Sequence, residues 1–222
     1  MLESLDAGVL AESHCLFGGG TAIVLLNGEY RESVDIDFLV SSLEGYRSLR
    51  QRVTGKEGIQ ALVRPGATLE QTRDIRADQY GLRTMLRAAD IEIKFEVVFE
   101  ARIALAAPGE ADRLCGVATL TPLDQAASKL LANSDRWNDD AVHSRDLIDL
   151  AMMKPAKRLL EGAIAKARGA YGDSIERDLS KAIERLRTHP DRLEESMLAL
   201  QMTVPRALVW GRIRALGRRS GT

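Results

Sequence analysis

The chain has 222 residues, 45% hydrophobic and 28% charged, a balance that suits one sizeable soluble domain or two small ones and excludes extended disorder. Lys plus Arg number 31 against 32 for Asp plus Glu, so the overall field is near neutral and any nucleic-acid footprint must be local. The longest apolar runs, such as Ala22 to Leu26, are too short to span a bilayer, and the opening Met-Leu-Glu-Ser-Leu-Asp lacks the features of a secretory signal, so a cytoplasmic protein with no membrane partner is expected.

Along the chain, β-like runs and turn signals alternate up to about Leu120, and beyond Pro122 the sequence turns to Ala, Leu, Arg, Lys and Glu at helical spacing. The shift divides the chain into residues 1–120 and 121–222. In the first part the pattern predicts a short strand at His14 to Phe17, a turn at Gly18-Gly19-Gly20 and a helix from Thr21 to about Leu26. A strand at Val34 to Val40, a helix from about Leu43 to Val53 and a strand at Ile59 to Val63 follow. A hairpin of Tyr80 to Arg87 and Ile91 to Phe99 comes next, and a last strand at Val117 to Leu120 closes the sheet. The second part reads as helices near Leu123 to Trp137, Ala141 to Met153, Ala156 to Ala170, Ser174 to Arg187, Asp191 to Met202 and Pro205 to Leu216, punctuated by Pro155, Pro190 and Pro205.

Within the strand predicted at Val34 to Val40, side chains alternate faces, so Asp35 and Asp37 project to one side and Val34, Ile36 and Phe38 to the other, where they can pack in a core. The two carboxylates stand roughly 6–7 Å apart along the strand, a span that metal ions about 3.5–4 Å apart can bridge in phosphoryl transfer. Like charges that close call for a cation, and Mg²⁺ suits a few carboxylate oxygens completed by water and substrate phosphate. A solvated strand face that happens to read Asp-Ile-Asp is the plain alternative. Gly18-Gly19-Gly20-Thr21 upstream offers backbone N–H groups and a helix N-terminus to phosphate oxygens, although a triple glycine can equally be a tight turn and no Walker A lysine follows. Downstream, Glu92, Lys94 and Glu96 share one face of an alternating strand, so a third acid can join the pair; periodicity does not choose between Glu92 and Glu96.

The run Phe17-Gly-Gly-Gly-Thr-Ala-Ile followed by Arg31-Glu32-Ser33-Val34-Asp35-Ile36-Asp37-Phe38 resembles the active-site motif of the AbiEii/AbiGii toxin family of nucleotidyltransferases, in the DNA polymerase beta-like superfamily. Ile93-Lys94-Phe95-Glu96 resembles the third-acid strand of that family, Lys129 lies in a helix resembling its lysine helix, and Ser144-Arg145-Asp146-Leu147-Ile148-Asp149-Leu150 resembles its closing motif. The third acid would be Glu where many superfamily members have Asp, and the short N-terminus suggests that the usual preceding helix is trimmed. The resemblance implies an α+β polymerase beta-like nucleotidyltransferase fold, a mixed sheet flanked by helices, with a C-terminal helical domain and the active site in the cleft between them.

It further implies that Asp35, Asp37 and Glu96 bind Mg²⁺, two ions in all, with Glu96 also acting as base toward an acceptor hydroxyl. Gly19, Gly20 and Thr21 would hold the phosphates of an NTP substrate. Ser33 would touch a phosphate or cap the chain locally, and Arg31 would neutralise triphosphate charge or be a solvated loop arginine. Lys129 would reach a phosphate as charge moves to pyrophosphate. Asp146 and Asp149 would orient Lys129 or the nucleotide, or form an ion-pair network joining the two domains. The implied role is the toxin of a toxin–antitoxin pair, with a cognate antitoxin as partner and tRNA first among acceptors; a protein hydroxyl, a small molecule or a catalytically silent binding module are the rivals.

Cys15 and Cys115 lack the spacing of a zinc or redox motif, and His14 and His143 have no third partner. Trp137 and Trp210 read as packing residues rather than base-stacking platforms. The last helix and tail carry Arg206, Arg212, Arg214, Arg218 and Arg219 without an acid among them, either a helix end favoured by its dipole or a contact for RNA phosphates.

Overall fold

The computed structural model describes residues 1–220, with side chains as far as Arg218; the side chain of Arg219 lies outside the described residues. The chain forms two compact units, one of Met1–Ala22 with Val34–Thr121, the other of Ile23–Ser33 with Pro122–Thr222. The composition shift near residue 120 marks one passage between them, and the excursion at Ile23–Ser33 has no compositional signal.

In the first unit, strands β1 (Leu16–Gly18), β2 (Ile36–Val40), β5 (Gly81–Ala88), β6 (Ile91–Phe99) and the two-residue strands β3 (Glu70–Gln71) and β4 (Arg76–Ala77) form a mixed sheet. Its order is β1-β2-β6-β5-β3, with β4 also on β5, and β2–β6 is its one parallel pairing among the described residues. Alternation explains the core: Phe17, Ile36, Phe38, Phe95, Val97, Leu82 and Leu86 are buried. Ring centroids of Phe17 and Phe38 lie 5.5 Å apart and those of Phe38 and Phe95 5.7 Å. Helix α1 (Ala7–Glu12) precedes β1 and starts because the Asp6 carboxylate accepts from the Gly8 and Val9 amides. Helix α3 (Leu43–Val53) has the predicted bounds: Ser42 caps the Gly45 amide, and Tyr46, Leu49 and Val53 form its buried stripe.

The first predicted strand starts two residues later, at Leu16, and β5 is shifted by one residue; three others differ in ways that bear on the core or the site. The ladder of β2 starts at Ile36, where pairing with β6 begins, so Asp35 precedes the strand and Val34 is 44% exposed instead of joining the core. Gly58–Leu62 is a 3₁₀ turn whose buried Ile59 and Leu62 follow the i, i+3 period, not alternation. The last segment forms β8 (Val117–Ala118), which pairs with β7 (Arg113–Leu114) in a separate ribbon turned by Cys115 and Gly116, both at positive φ; the bridge of Thr119 to Phe17 joins it to the main sheet.

The second unit contains α4 (Pro122–Arg136), α5 (Arg145–Met152), α6 (Lys157–Tyr171), α7 (Ser174–Thr188), α8 (Pro190–Ala199) and α9 (Arg206–Ser220). Proline opens α4 and α8 at a first-turn position, where its missing N–H costs nothing. Ala126, Ala127, Ala163 and Ala167 are buried where α4 and α6 pack, alongside Leu130, Leu160, Leu179 and Ile213. Residues 23–33 attach to this unit through backbone bonds, Glu32 N–H to the Leu200 carbonyl and Thr203 N–H to that of Tyr30, both 3.2 Å. Truncating the central ring, Phe38→Ala, is expected to cost about 3–5 kcal/mol, read as a lower urea midpoint; a change below about 1 kcal/mol would mean that the ring cluster does not hold the sheet.

Candidate active site

Register partners on neighbouring strands share a face, and the sheet places a row of chemically matched residues side by side. Gly18 on β1 faces Asp37 on β2, Asp37 faces Glu96 on β6, Glu96 faces Arg83 on β5, and Arg83 faces Arg76 on β4. Neighbouring strands lie about 4.8 Å apart, so two carboxylates and then two guanidiniums line one direction across the sheet. Glu92 lies beyond the stretch of β6 that pairs with β2 and faces Arg87 instead. The register thus sets Glu96, not Glu92, beside Asp37.

Helix α2 (Gly19–Leu26) begins where β1 ends. Gly19 has φ +69°, and a Cβ there would come within 2.4 Å of Asp37 Oδ2, so only glycine lets the helix start against that carboxylate. Gly20 is half-buried and Thr21 buried. Asp35 and Ser33 are half-buried in the segment entering β2.

Glu96 accepts from Arg83 Nε at 2.6 Å and from Lys94 Nζ. Burial alone would push its carboxyl up, but the hydrogen bonds and charges of Lys94 and Arg83 outweigh that and hold it below the ordinary range. It is therefore ionised at neutral pH. Among the described residues, no three Asp, Glu, His or Cys side chains converge closely enough to hold a metal ion. Asp37 and Glu96 offer the hard oxygen donors that a divalent cation takes, side by side in register, but the oxygens of Glu96 are engaged by the two basic side chains.

The remaining predicted residues meet in the second unit as a buried ion network. Asp149, 0% exposed, accepts from Arg31 Nε (2.8 Å) and Nη2 (2.9 Å), from the Tyr30 hydroxyl (2.7 Å) and from Lys129 Nζ (2.8 Å). Asp146 accepts from Lys129 Nζ (3.0 Å) and from Arg136 Nε and Nη2 (2.7 and 3.0 Å). Arg31 is thus neither a solvated loop arginine nor a free cation: it is 7% exposed and forked onto Asp149. Lys129 is 6% exposed and spent on two carboxylates. Burial would raise both aspartates, and Lys129 with Arg31 or Arg136 reverses the sign and holds them well below the usual carboxylate range. Burial likewise opposes the Lys129 charge, and Asp149 and Asp146 override it, raising its pKa.

Sequence reading missed Arg83, Tyr30 and Arg136. Arg83 faces Glu96 because Ala88 joins β5 and leaves a two-residue Ala89-Asp90 turn, whereas the predicted bounds leave three residues in the loop and do not fix that register. Tyr30 meets Asp149 across 119 residues of chain, and nothing local announces that contact.

Asp149→Asn would leave Arg31 and Lys129 facing a neutral group in a buried site, with an expected loss of about 3–5 kcal/mol in urea unfolding. Both aspartates have depressed folded pKa values, so their contribution is complete above about pH 4 and is lost as the pH falls below it. Wild-type stability should therefore drop on acidification below about pH 4, with a shallower drop in Asp149→Asn; identical acid limbs would contradict the network's role.

No curated protein matches the chain. Among solved structures, a protein from H. pylori described as a candidate nucleotidyltransferase aligns over 97% of this chain and 91% of its own, at TM-score 0.56 and 16% identity. JHP933 from Helicobacter pylori aligns over 97% and 88% at TM-score 0.54, also at 16% identity. At such identity the likeness speaks to the fold, which is that of these proteins: α+β, with a mixed sheet and flanking helices. The family model of the AbiEii toxin, a nucleotidyl transferase of type IV toxin–antitoxin systems, matches residues 3–209. With nearly its whole length matched, the chain belongs to the AbiEii family of nucleotidyltransferase toxins.

Proposed function

We propose that this nucleotidyltransferase moves a nucleoside monophosphate from an NTP to a hydroxyl of an RNA acceptor, tRNA first, with release of pyrophosphate. The observation that carries the reading is the register that sets Asp37 beside Glu96, two residues beyond Asp35, against a helix that starts at Gly19. Asp35, Asp37 and Glu96 would hold Mg²⁺, which when bound supplies neutralising charge at the phosphates. The ionised Glu96 suits a metal ligand or a base toward the acceptor hydroxyl. The amides of Gly19 and Gly20 and the side chain of Thr21, at the start of α2, would take phosphate oxygens. Ser33 is proposed as a further phosphate contact.

The buried network supports a different task for Arg31, Lys129, Asp146 and Asp149 from direct phosphate binding. Their charges are already satisfied by one another, so we assign them as positioning residues: Arg31 and Tyr30 fasten the segment leading to Ser33 and Asp35 onto α5, and Lys129 ties α4 to the same carboxylates. With an NTP and a tRNA as substrates, the activity would belong in the cytoplasm. Among the described residues no helix is long and apolar enough to cross a membrane. The family's type IV toxin–antitoxin membership implies a cognate antitoxin, and expression of the active chain alone is expected to arrest growth.

Incubation with each labelled NTP, Mg²⁺ and total RNA tests the reaction. Wild type should label RNA in the tRNA size range, and Asp35→Ala plus Asp37→Ala should lower the rate by on the order of 10²–10³-fold or more and relieve growth arrest. Equal labelling by both proteins, or none by either, contradicts the reading. Gly19→Ala places a methyl group on Asp37 and should lower transfer sharply while the fold survives, as judged by its circular dichroism; unchanged transfer would show that the approach of α2 to Asp37 is incidental.

A further inference from the structure

The two tryptophans of the chain, Trp137 and Trp210, line one open groove in the helical unit, between α7, α9 and the end of α4, with a volume of about 870 Å³. Both indoles are half-buried, so neither is consumed by the core. Five basic side chains and a single carboxylate, Glu184, share the lining among the described residues. Glu184 is taken by Arg187, at 2.6 and 2.7 Å, and Arg185 by Asp140 and the Trp137 carbonyl. Lys181, Arg214 and Arg218 remain, with no carboxylate within ion-pairing distance among the described residues. Lys181 Nζ sits 5.6 Å from the Trp137 ring centroid and Arg214 Cζ 5.9 Å from that of Trp210. Those distances are near the outer reach of a cation–π contact, about 6 Å, so each cation is held loosely and can turn to an anion beside the ring.

In a chain whose net charge is −1, three uncompensated cations beside two half-buried indoles that line an open groove are a local departure that calls for a ligand. The ligand must present negative charge and flat π-faces at more than one point. An acidic peptide supplies the charge without the faces. A mononucleotide supplies one face for two platforms. A single-stranded nucleic acid supplies both in alternation, since every base can stack and every link carries a phosphate. We propose that this groove binds single-stranded nucleic acid, with bases against Trp137 and Trp210 and phosphates at Lys181, Arg214 and Arg218. Its use in catalysis, as the hold on the acceptor, rests on the RNA-acceptor reading above; the binding does not.

Fluorescence anisotropy with a labelled 12-nucleotide single-stranded RNA, at salt concentrations from 50 to 200 mM, tests the assignment on the full chain. Each phosphate contact to a single strand contributes a salt slope of about −0.7, so Lys181→Ala with Arg214→Ala and Arg218→Ala should weaken binding and flatten the slope by about two. Trp210→Leu should weaken it on the order of tenfold at an unchanged slope, and circular dichroism should show both variants folded. The Asp35→Ala plus Asp37→Ala protein should bind as wild type does. Binding that persists while wild type labels no RNA would sink the acceptor reading and leave the groove assignment standing. Absence of wild-type binding, wild-type affinity in the triple variant, or displacement of the RNA by polyglutamate or free NTP at equal charge concentration would overturn the groove assignment.

Discussion

The parallel pairing of β2 with β6 is the constraint from which the polar edge of the first unit follows. Side chains in a strand alternate at a period of two, so a slip of one residue would send Asp37 and Glu96 to opposite faces and put Phe38 or Phe95 into water. The Phe17–Phe38–Phe95 cluster on the apolar face forbids that slip. Hydrophobic packing on one side thus fixes the carboxylate pair on the other. Two carboxyl side chains on adjacent strands about 4.8 Å apart crowd like polar groups together, and Lys94 and Arg83 on Glu96 and the start of α2 beside Asp37 surround them with opposite polarity. A cation held there, as proposed above, would take over the same task.

The second unit solves a related electrostatic problem in the opposite way. Asp146 and Asp149 are almost wholly buried, and each is surrounded by enough donors to stay charged. Such a network contributes less through Coulomb attraction than through the heavy penalty for removing one member. It fastens together pieces of chain more than 100 residues apart in sequence, Tyr30 and Arg31 on one side and α5 on the other. A lysine that reads as a phosphate ligand in a one-dimensional motif is, in three dimensions, already occupied by two aspartates.

The sequence shows clearly what local physics decides. The apolar stripe of Tyr46, Leu49 and Val53 marks α3, and the alternation in Tyr80 to Phe99 gives the hairpin, although its turn is one residue shorter than the predicted bounds leave. Ile59 to Val63 fails because a short apolar run has no period long enough to separate a strand from a 3₁₀ turn. Asp35 is read as a strand residue because alternation continues upstream of the point where partners stop, and only the partner's register reveals that end. Of the candidate site, Asp35 and Asp37 are singled out by spacing and Glu96 by resemblance, and the register adds that Asp37 and Glu96 are neighbours. The spent state of Lys129 and Arg31 was not legible, since burial is a property of the whole packed unit. The groove residues carried little signal because each tryptophan and arginine looks ordinary by itself.

The central claim is that register, rather than composition, selects Glu96 as the partner of Asp37. Titration of Mn²⁺ with a non-hydrolysable NTP analogue, followed by electron paramagnetic resonance, bears on it most directly. The register predicts that Glu96→Gln weakens Mn²⁺ binding by at least about tenfold, the worth of one charge-assisted ligand, and that Glu92→Gln leaves it as in the wild type. Loss of binding in Glu92→Gln with wild-type binding in Glu96→Gln would contradict it.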